Sequence, residues 1–173
     1  MSMCKEGKLR RPVIDWLCSL GMTPVFEVYL RHGTCDIVGV QWGERFGRSV
    51  PAMLRIVAIE LKVSDVAGVL RQAEANRPYI GESYAAMPKW RTQKMRQSTL
   101  QSFKDAGVGL ISVTEESCRC LVMPLVNLDL DADSQMMKRK LWRRRDQWPK
   151  RIDKTHQQML QEQKRKNELA EPI

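Results

Sequence analysis

No apolar run in this chain approaches the length needed to span a bilayer, so a helical membrane protein is excluded. The first residues, MSMCKEGKLRR, carry charge but are not followed by an apolar segment of about 7–15 residues. No secretory signal is therefore expected, and the cytoplasm is the expected location. Histidine is scarce: His32 and His156 stand far apart. The cysteines (Cys4, Cys18, Cys35, Cys118 and Cys120) are odd in number and contain no C-x-x-C pair. Cys118 and Cys120 would share one face of a strand, but no second pair completes a four-ligand zinc site. Free thiols in a reducing compartment are the expectation. The chain also lacks an internal repeat, a zinc finger, an RNA-recognition signature and a helix-turn-helix, so sequence-specific recognition is not indicated.

What is present is a chain of 173 residues, enough for one domain with an appendage. Its net charge is +9, and the distribution is uneven. Residues 138–173 hold 12 Lys/Arg against 5 Asp/Glu, whereas residues 1–137 hold 17 against 15. A nearly neutral body carries a basic tail, which suggests a polyanionic partner, nucleic acid first. A solvated helix whose charge has no target is the other reading of the same segment.

Hydrophobic periodicity predicts a short helix over 11–20, with Pro12 in its first turn and Gly21 at its end. Strands follow at 24–30 and 35–42, then a Gly-containing loop at 43–49 and a strand at 55–63. In the first strand, Val25, Glu27 and Tyr29 are expected on one side, with Phe26, Val28 and Leu30 on the other. A helix over 64–77 is capped by Ser64 or Asp65, with Val66, Val69, Leu70 and Ala73 as its apolar stripe. A strand at 82–87, a helix over 91–106 stopped by Gly107, and strands at 109–113 and 118–123 complete a body of residues 1–128. Residues 129–173 form a basic, helical tail interrupted near Pro149. The order α-β-β-β-α-β-α-β-β predicts an α/β fold, a mixed central sheet flanked by helices, with a basic helical C-terminal extension.

The centre of the sequence is RIVAIELKV, residues 55–63. A β-branched run that reads as a buried strand ends in two opposite charges, Glu60 and Lys62. They lie two positions apart and so on one face. Taken alone, such a pair often marks only the wet end of a strand. Asp36, however, starts the preceding strand, and an antiparallel hairpin about 43–49 would bring it beside Glu60. Glu27, midway along the first strand, could complete the cluster. Carboxylates with a backbone carbonyl, here that of Leu61, make a hard oxygen site suited to Mg²⁺ or Mn²⁺. A lysine alongside can orient a water and offset charge at a reacting phosphate.

Asp36 followed by Glu60-Leu61-Lys62 after a strand of fitting composition, within this order of elements, resembles the PD-(D/E)XK, or restriction-endonuclease-like, nuclease superfamily. The resemblance covers about residues 11–113. Cys35 stands where the name-giving proline would be. The resemblance implies a Mg²⁺-dependent nuclease, with Asp36, Glu60 and the Leu61 carbonyl as metal ligands and Lys62 as the catalytic lysine. It further implies Glu27 as an extra acid, Gln72 as a glutamine facing the site from the following helix, and a setting in repair, recombination or phage and mobile-element DNA. Candidate contacts to a nucleic-acid backbone, DNA first, are Arg45, Arg48, Lys89, Arg91, Lys94 and Arg96, then Lys138, Arg139, Lys140, Arg143, Arg144 and Arg145 in the tail. The alternative is a non-catalytic nucleic-acid-binding or scaffold protein on the same fold. A homodimer or larger assembly is a further expectation. Trp142 and Trp148 either dock a partner or pack back on the body.

Overall fold

The computed structural model describes residues 6–30, 33–44, 51–127 and 133–144. Six strands form one mixed sheet whose spatial order is the order of the sequence: β1 (Thr23–Leu30), β2 (Gly33–Trp42), β3 (Met53–Leu61), β4 (Glu82–Pro88), β5 (Gly109–Val113) and β6 (Cys118–Val122). The pairs β1/β2, β2/β3 and β5/β6 are antiparallel, and β3/β4 and β4/β5 are parallel. This is the expected mixed α/β sheet, and the 43–49 loop does join an antiparallel pair. Parallel neighbours need crossovers, and helices supply them. α2 (Val66–Asn76) leads from β3 to β4, and α3 (Lys89–Thr92) with α4 (Gln97–Asp105) leads from β4 to β5. Every residue of β4 is buried, as a central strand covered on both faces requires.

The helices sort onto the two faces. α1 (Gly7–Ser19) covers one, packing Leu9, Val13, Ile14 and Leu17 against Ile37, Val57, Ile59 and Tyr84. It lies so close that a Cβ on Gly39 would meet Leu17 Cδ2 at 2.7 Å. On the opposite face, Val69 and Ala73 of α2 and Phe103 of α4 pack with Ala85, Met87 and Leu110. Leu141 of α5 (Asp133–Arg144) packs there with Val25, Val38, Ile56 and Ala58.

Caps fall largely where the sequence puts them. Asp65 Oδ1 accepts from Gly68 N at 2.8 Å to open α2. Gly21 at φ +70° and Gly107 at φ +65° follow the ends of α1 and α4. Among the boundaries that differ, β3 ends at Leu61 rather than at 63, so Lys62 lies just past the strand. α1 starts at Gly7, so Pro12 is interior rather than in the first turn, because burial of Leu9 with Val13 extends the helix backwards by a turn. The expected helix over 91–106 is two, because Arg96 is extended at ψ 157° and divides α3 from α4.

The alternation expected along β1 is broken at Glu27, whose φ is +49°. Phe26 packs on the α1 face, while Val25, Val28 and Leu30 all pack on the other. Strict alternation would separate Val25 from Val28. Across the hairpin, Cys35 and Val38 share that second cluster and Ile37 does not, so β2 breaks at Asp36. The pairs on either side, Phe26↔Ile37 and Val28↔Cys35, keep one register, so no residue is inserted.

The first helix of the basic tail belongs to this body. Leu141 is fully buried, and the Trp142 ring meets Trp42 edge-on with centroids 5.0 Å apart. Lys140 Nζ donates to Tyr29 O at 2.9 Å, and Arg144 donates to Phe26 O at 2.9 Å and Glu27 O at 3.1 Å. These are outward carbonyls of the edge strand β1, which α5 therefore covers. Among the described residues, no helix is long and apolar enough to cross a membrane. Leu141→Ala should lower the unfolding free energy by about 2–4 kcal/mol, as a buried leucine does, whereas Arg139→Ala on the exposed side should change it by less than about 0.5 kcal/mol. Urea denaturation of both variants checks whether α5 is part of the cooperative unit.

Candidate active site

β3 carries Glu60 into the interior, where it is 4 % exposed. The β2/β3 register pairs Ile37 with Ile59, so the next position sets Asp36 opposite Glu60. The ladder stops there. Asp36 turns its carboxylate onto the neighbouring backbone, and Oδ2 accepts from Leu61 N at 2.8 Å. The break at Glu27 and Asp36 thus releases Asp36 from strand pairing and hands its side chain to the end of β3. Non-glycine residues at positive φ are uncommon in strands and cost on the order of 1–3 kcal/mol, so Glu27 marks a strained point directly across from Asp36.

Glu60 Oε1 accepts from Asn76 Nδ2 at 2.7 Å. Asn76 is itself buried, at the end of α2. Burial pushes the Glu60 carboxyl up to about 7. The Asn76 amide works against that rise, and the adjacent Asp36 carboxyl adds to it. Cys35 lies beneath the pair. Its Sγ donates to Ile37 O at 3.3 Å and to Ile59 O at 3.6 Å, and burial raises its thiol well above the usual range. Lys62 follows Glu60 at the carboxyl end of β3, and its Nζ lies 3.3 Å from Glu6 Oε1, just ahead of α1.

The structure therefore brings Asp36, Glu60 and the Leu61 peptide together, while Lys62 lies just past the end of β3 with its amine on Glu6. Glu27 stands apart: its carboxylate is half-exposed and meets Arg10 at 3.8 Å. Among the described residues, no group of three or more His, Cys, Asp or Glu side chains gathers to hold a metal, so a third carboxylate is not supplied. Gln72 is exposed, and the amide on Glu60 comes instead from Asn76, one turn further along the same helix. Asn76 continues the stripe of Val69 and Ala73, and a polar residue on an otherwise buried stripe was the signal for it. Glu6 left no signal in the sequence.

The basic candidates divide in the same way. Lys89 and Arg91 lie just beyond β4, at the carboxyl ends of the parallel strands. Lys138, Arg139 and Arg143 lie on α5. Lys140 and Arg144 bond to β1 carbonyls, which gives them an edge-covering role. Arg45, Arg48, Arg145 and Trp148 lie outside the described residues.

An oxygen-only donor set suits a hard divalent cation. Mg²⁺ needs no more than one or two carboxylates from the protein when water and a phosphate complete its shell. Asp36, Glu60 and the Leu61 carbonyl fit that requirement in type. The raised Glu60 carboxyl fits it too, because burial, and after it the adjacent Asp36 carboxyl, disfavour its charge.

No protein-family model matches the chain, and no curated protein matches it. Among solved structures, the SPO1766 protein of unknown function from Silicibacter pomeroyi is similar with a TM-score of 0.53, covering 100 % of this chain and 99 % of that one at 14 % identity. That likeness is one of fold.

The raised carboxyl has a measurable sign. A protonated Glu60 stabilises the fold fully below its ordinary value of 4.5, and that contribution is lost as pH rises through about 7. Glu60→Gln removes the titration, so it should be more stable than the parent at pH 8 by about 1–3 kcal/mol and nearly equal to it at pH 4. Chemical denaturation at the two pH values measures the difference, and a less stable Glu60→Gln at pH 8 would contradict the assignment.

Proposed function

We propose that this protein is a metal-dependent nuclease with a PD-(D/E)XK-type site. The observation that carries the reading is the buried Glu60 carboxylate set against Asp36, with Asp36 fixed to Leu61 N at 2.8 Å and Lys62 just past the end of β3. A buried carboxylate beside a second one is costly to ionise without a cation to offset it. A divalent cation held by Asp36, Glu60 and the Leu61 carbonyl would polarise a phosphodiester and make water a competent nucleophile near neutral pH.

The chain's own residues have separable tasks. Asp36 has one oxygen committed to Leu61 N, which fixes the orientation of the other. Asn76 fixes the rotamer of Glu60 and favours its ionised form. Glu6 holds the Lys62 amine at the end of β3, where it can donate to a phosphate oxygen and offset charge that grows in the transition state. Lys89 and Arg91, at the adjoining end of β4, suit contacts to the nucleic-acid backbone.

Incubation with labelled DNA and RNA, with Mg²⁺ or Mn²⁺, should give cleavage that EDTA stops. Asp36→Ala, Glu60→Ala and Lys62→Ala should each lower the rate by about 10²-fold or more while melting cooperatively. Cleavage that persists in contaminant-free Glu60→Ala sinks the proposal. A second readout needs no activity. Each Mn²⁺ bound must displace a proton from Glu60, so the affinity measured by calorimetry should rise by about tenfold per pH unit below 7 and level off above it. Single-site Mn²⁺ affinity that ignores pH, or is kept in Glu60→Ala, points to a non-catalytic nucleic-acid-binding role for the fold.

A further inference from the structure

Beyond the carboxyl ends of the parallel strands a second set of side chains lies on the same face of the sheet as Glu60. β4 leaves the sheet at Pro88 and turns directly into α3. That short helix is tied down by Thr92, whose Oγ1 lies 2.8 Å from Ser112 Oγ on β5 and 3.0 Å from Lys89 O. Ser112 is two residues beyond Leu110, which packs on the α2 and α4 face. Glu60 points to that same face, since it bonds to Asn76 of α2 and pairs in register with Ala85, a member of the same cluster. α3 is therefore anchored on the side of the sheet where the carboxylates lie, one strand over from Lys62, whose N–H donates to Ala86 O.

Trp90, the second residue of α3, is 46 % exposed. The other exposed aromatic among the described residues is Tyr29, and Lys140 Nζ covers its ring at 5.5 Å. The Trp90 ring has no aromatic or cationic partner among the described residues. Lys89, Lys94 and Arg96 around it are exposed, and Arg91 is half-buried with its Nε buried and unpartnered. Cations that track a phosphate backbone, around a flat apolar ring that accepts a base, are the two components of single-strand recognition. A duplex keeps its base faces stacked inside and has nothing to offer such a ring.

We infer that Trp90 is a stacking platform for an unpaired base beside the cleaved phosphate, so that the substrate is single-stranded or locally unpaired nucleic acid rather than intact duplex. The position of that phosphate rests on the nuclease reading above; the platform itself does not. Lys89 and Arg91 then hold the backbone on either side of the stacked base.

The test is binding in EDTA, so that cleavage does not enter. Full-length protein is titrated into labelled oligo-dT and into a blunt duplex of equal length at one salt concentration. Trp90→Ala should weaken oligo-dT binding by about tenfold or more, Trp90→Phe by less than about threefold, and neither should change duplex binding by more than about twofold. Unchanged melting of Trp90→Ala excludes a folding defect. No loss on oligo-dT, or an equal loss on both probes, overturns the platform. The two readings fail separately. A chain that never cuts but loses oligo-dT in Trp90→Ala keeps the platform and drops the nuclease. A chain whose cleavage needs Glu60 but whose oligo-dT affinity ignores Trp90 keeps the nuclease and drops the platform.

Discussion

A carboxylate held nearly dry inside a sheet constrains everything around it. Glu60 sits on a strand whose other inward positions are apolar, so burial raises its carboxyl toward neutrality while the Asn76 amide works in favour of its charge. The geometry follows from that need. α2 must end where an amide can reach β3, and β2 must give up a rung of its ladder so that Asp36 can turn to Leu61 N. Glu27 adopts a strained backbone at the matching point on β1. A substitution that relaxed any one of these would make a better sheet and a poorer carboxylate pair. Departure from regular structure confined to a few adjacent positions is the pattern expected of a functional centre.

A second buried charge shows the contrast. At the opposite end of the sheet, Glu82 is as deeply buried as Glu60, yet Arg55 meets it through two nitrogens and Tyr84 Oη donates to it at 3.0 Å. That carboxylate has its full complement of partners within the chain. Such a closed network fixes how β3 and β4 align and leaves nothing for a ligand to add. Glu60 has the Asn76 amide and the Cys35 thiol as donors but a second carboxyl, that of Asp36, as its neighbour, and no cationic partner is among them.

Much of this was legible in the sequence. The β-branched run 55–63 announced a strand buried on both faces, but that strand ends at Leu61, so the two-residue spacing did not carry Lys62, whose amine meets Glu6. The short loop after β2 implied a hairpin, which is enough to bring Asp36 opposite Glu60. Other features were hidden for physical reasons. A left-handed backbone at Glu27 cannot be read from a glutamate, because local preference is against it and only the tertiary structure enforces it. Asn76 was passed over, although it continues the stripe of Val69 and Ala73, because Gln72, four positions earlier, matched the expectation better. The break between α3 and α4 has neither glycine nor proline to mark it. In the basic tail, charge masked packing: Leu141 and Trp142 stand between lysines and arginines, yet Leu141 is fully buried, and two of the cationic neighbours bond to strand carbonyls.

Because the strands lie side by side in the order of translation, each new strand can add to an edge that already exists. The bonds that build the carboxylate pair span short stretches of chain, 25 residues from Asp36 to Leu61 and 16 from Glu60 to Asn76. The contacts of α5 with β1 span 111 to 118 residues. Closing a longer loop costs more entropy, by about 0.6 kcal/mol per doubling, so the step from the shorter spans to the longer ones adds roughly 1–2 kcal/mol. The first strand must therefore wait, one edge open, until nearly the whole described chain has emerged before its cover arrives. During that interval the same carbonyls that later receive Lys140 and Arg144 are open to any other strand, and the early-formed centre is guarded by the part of the fold that closes last.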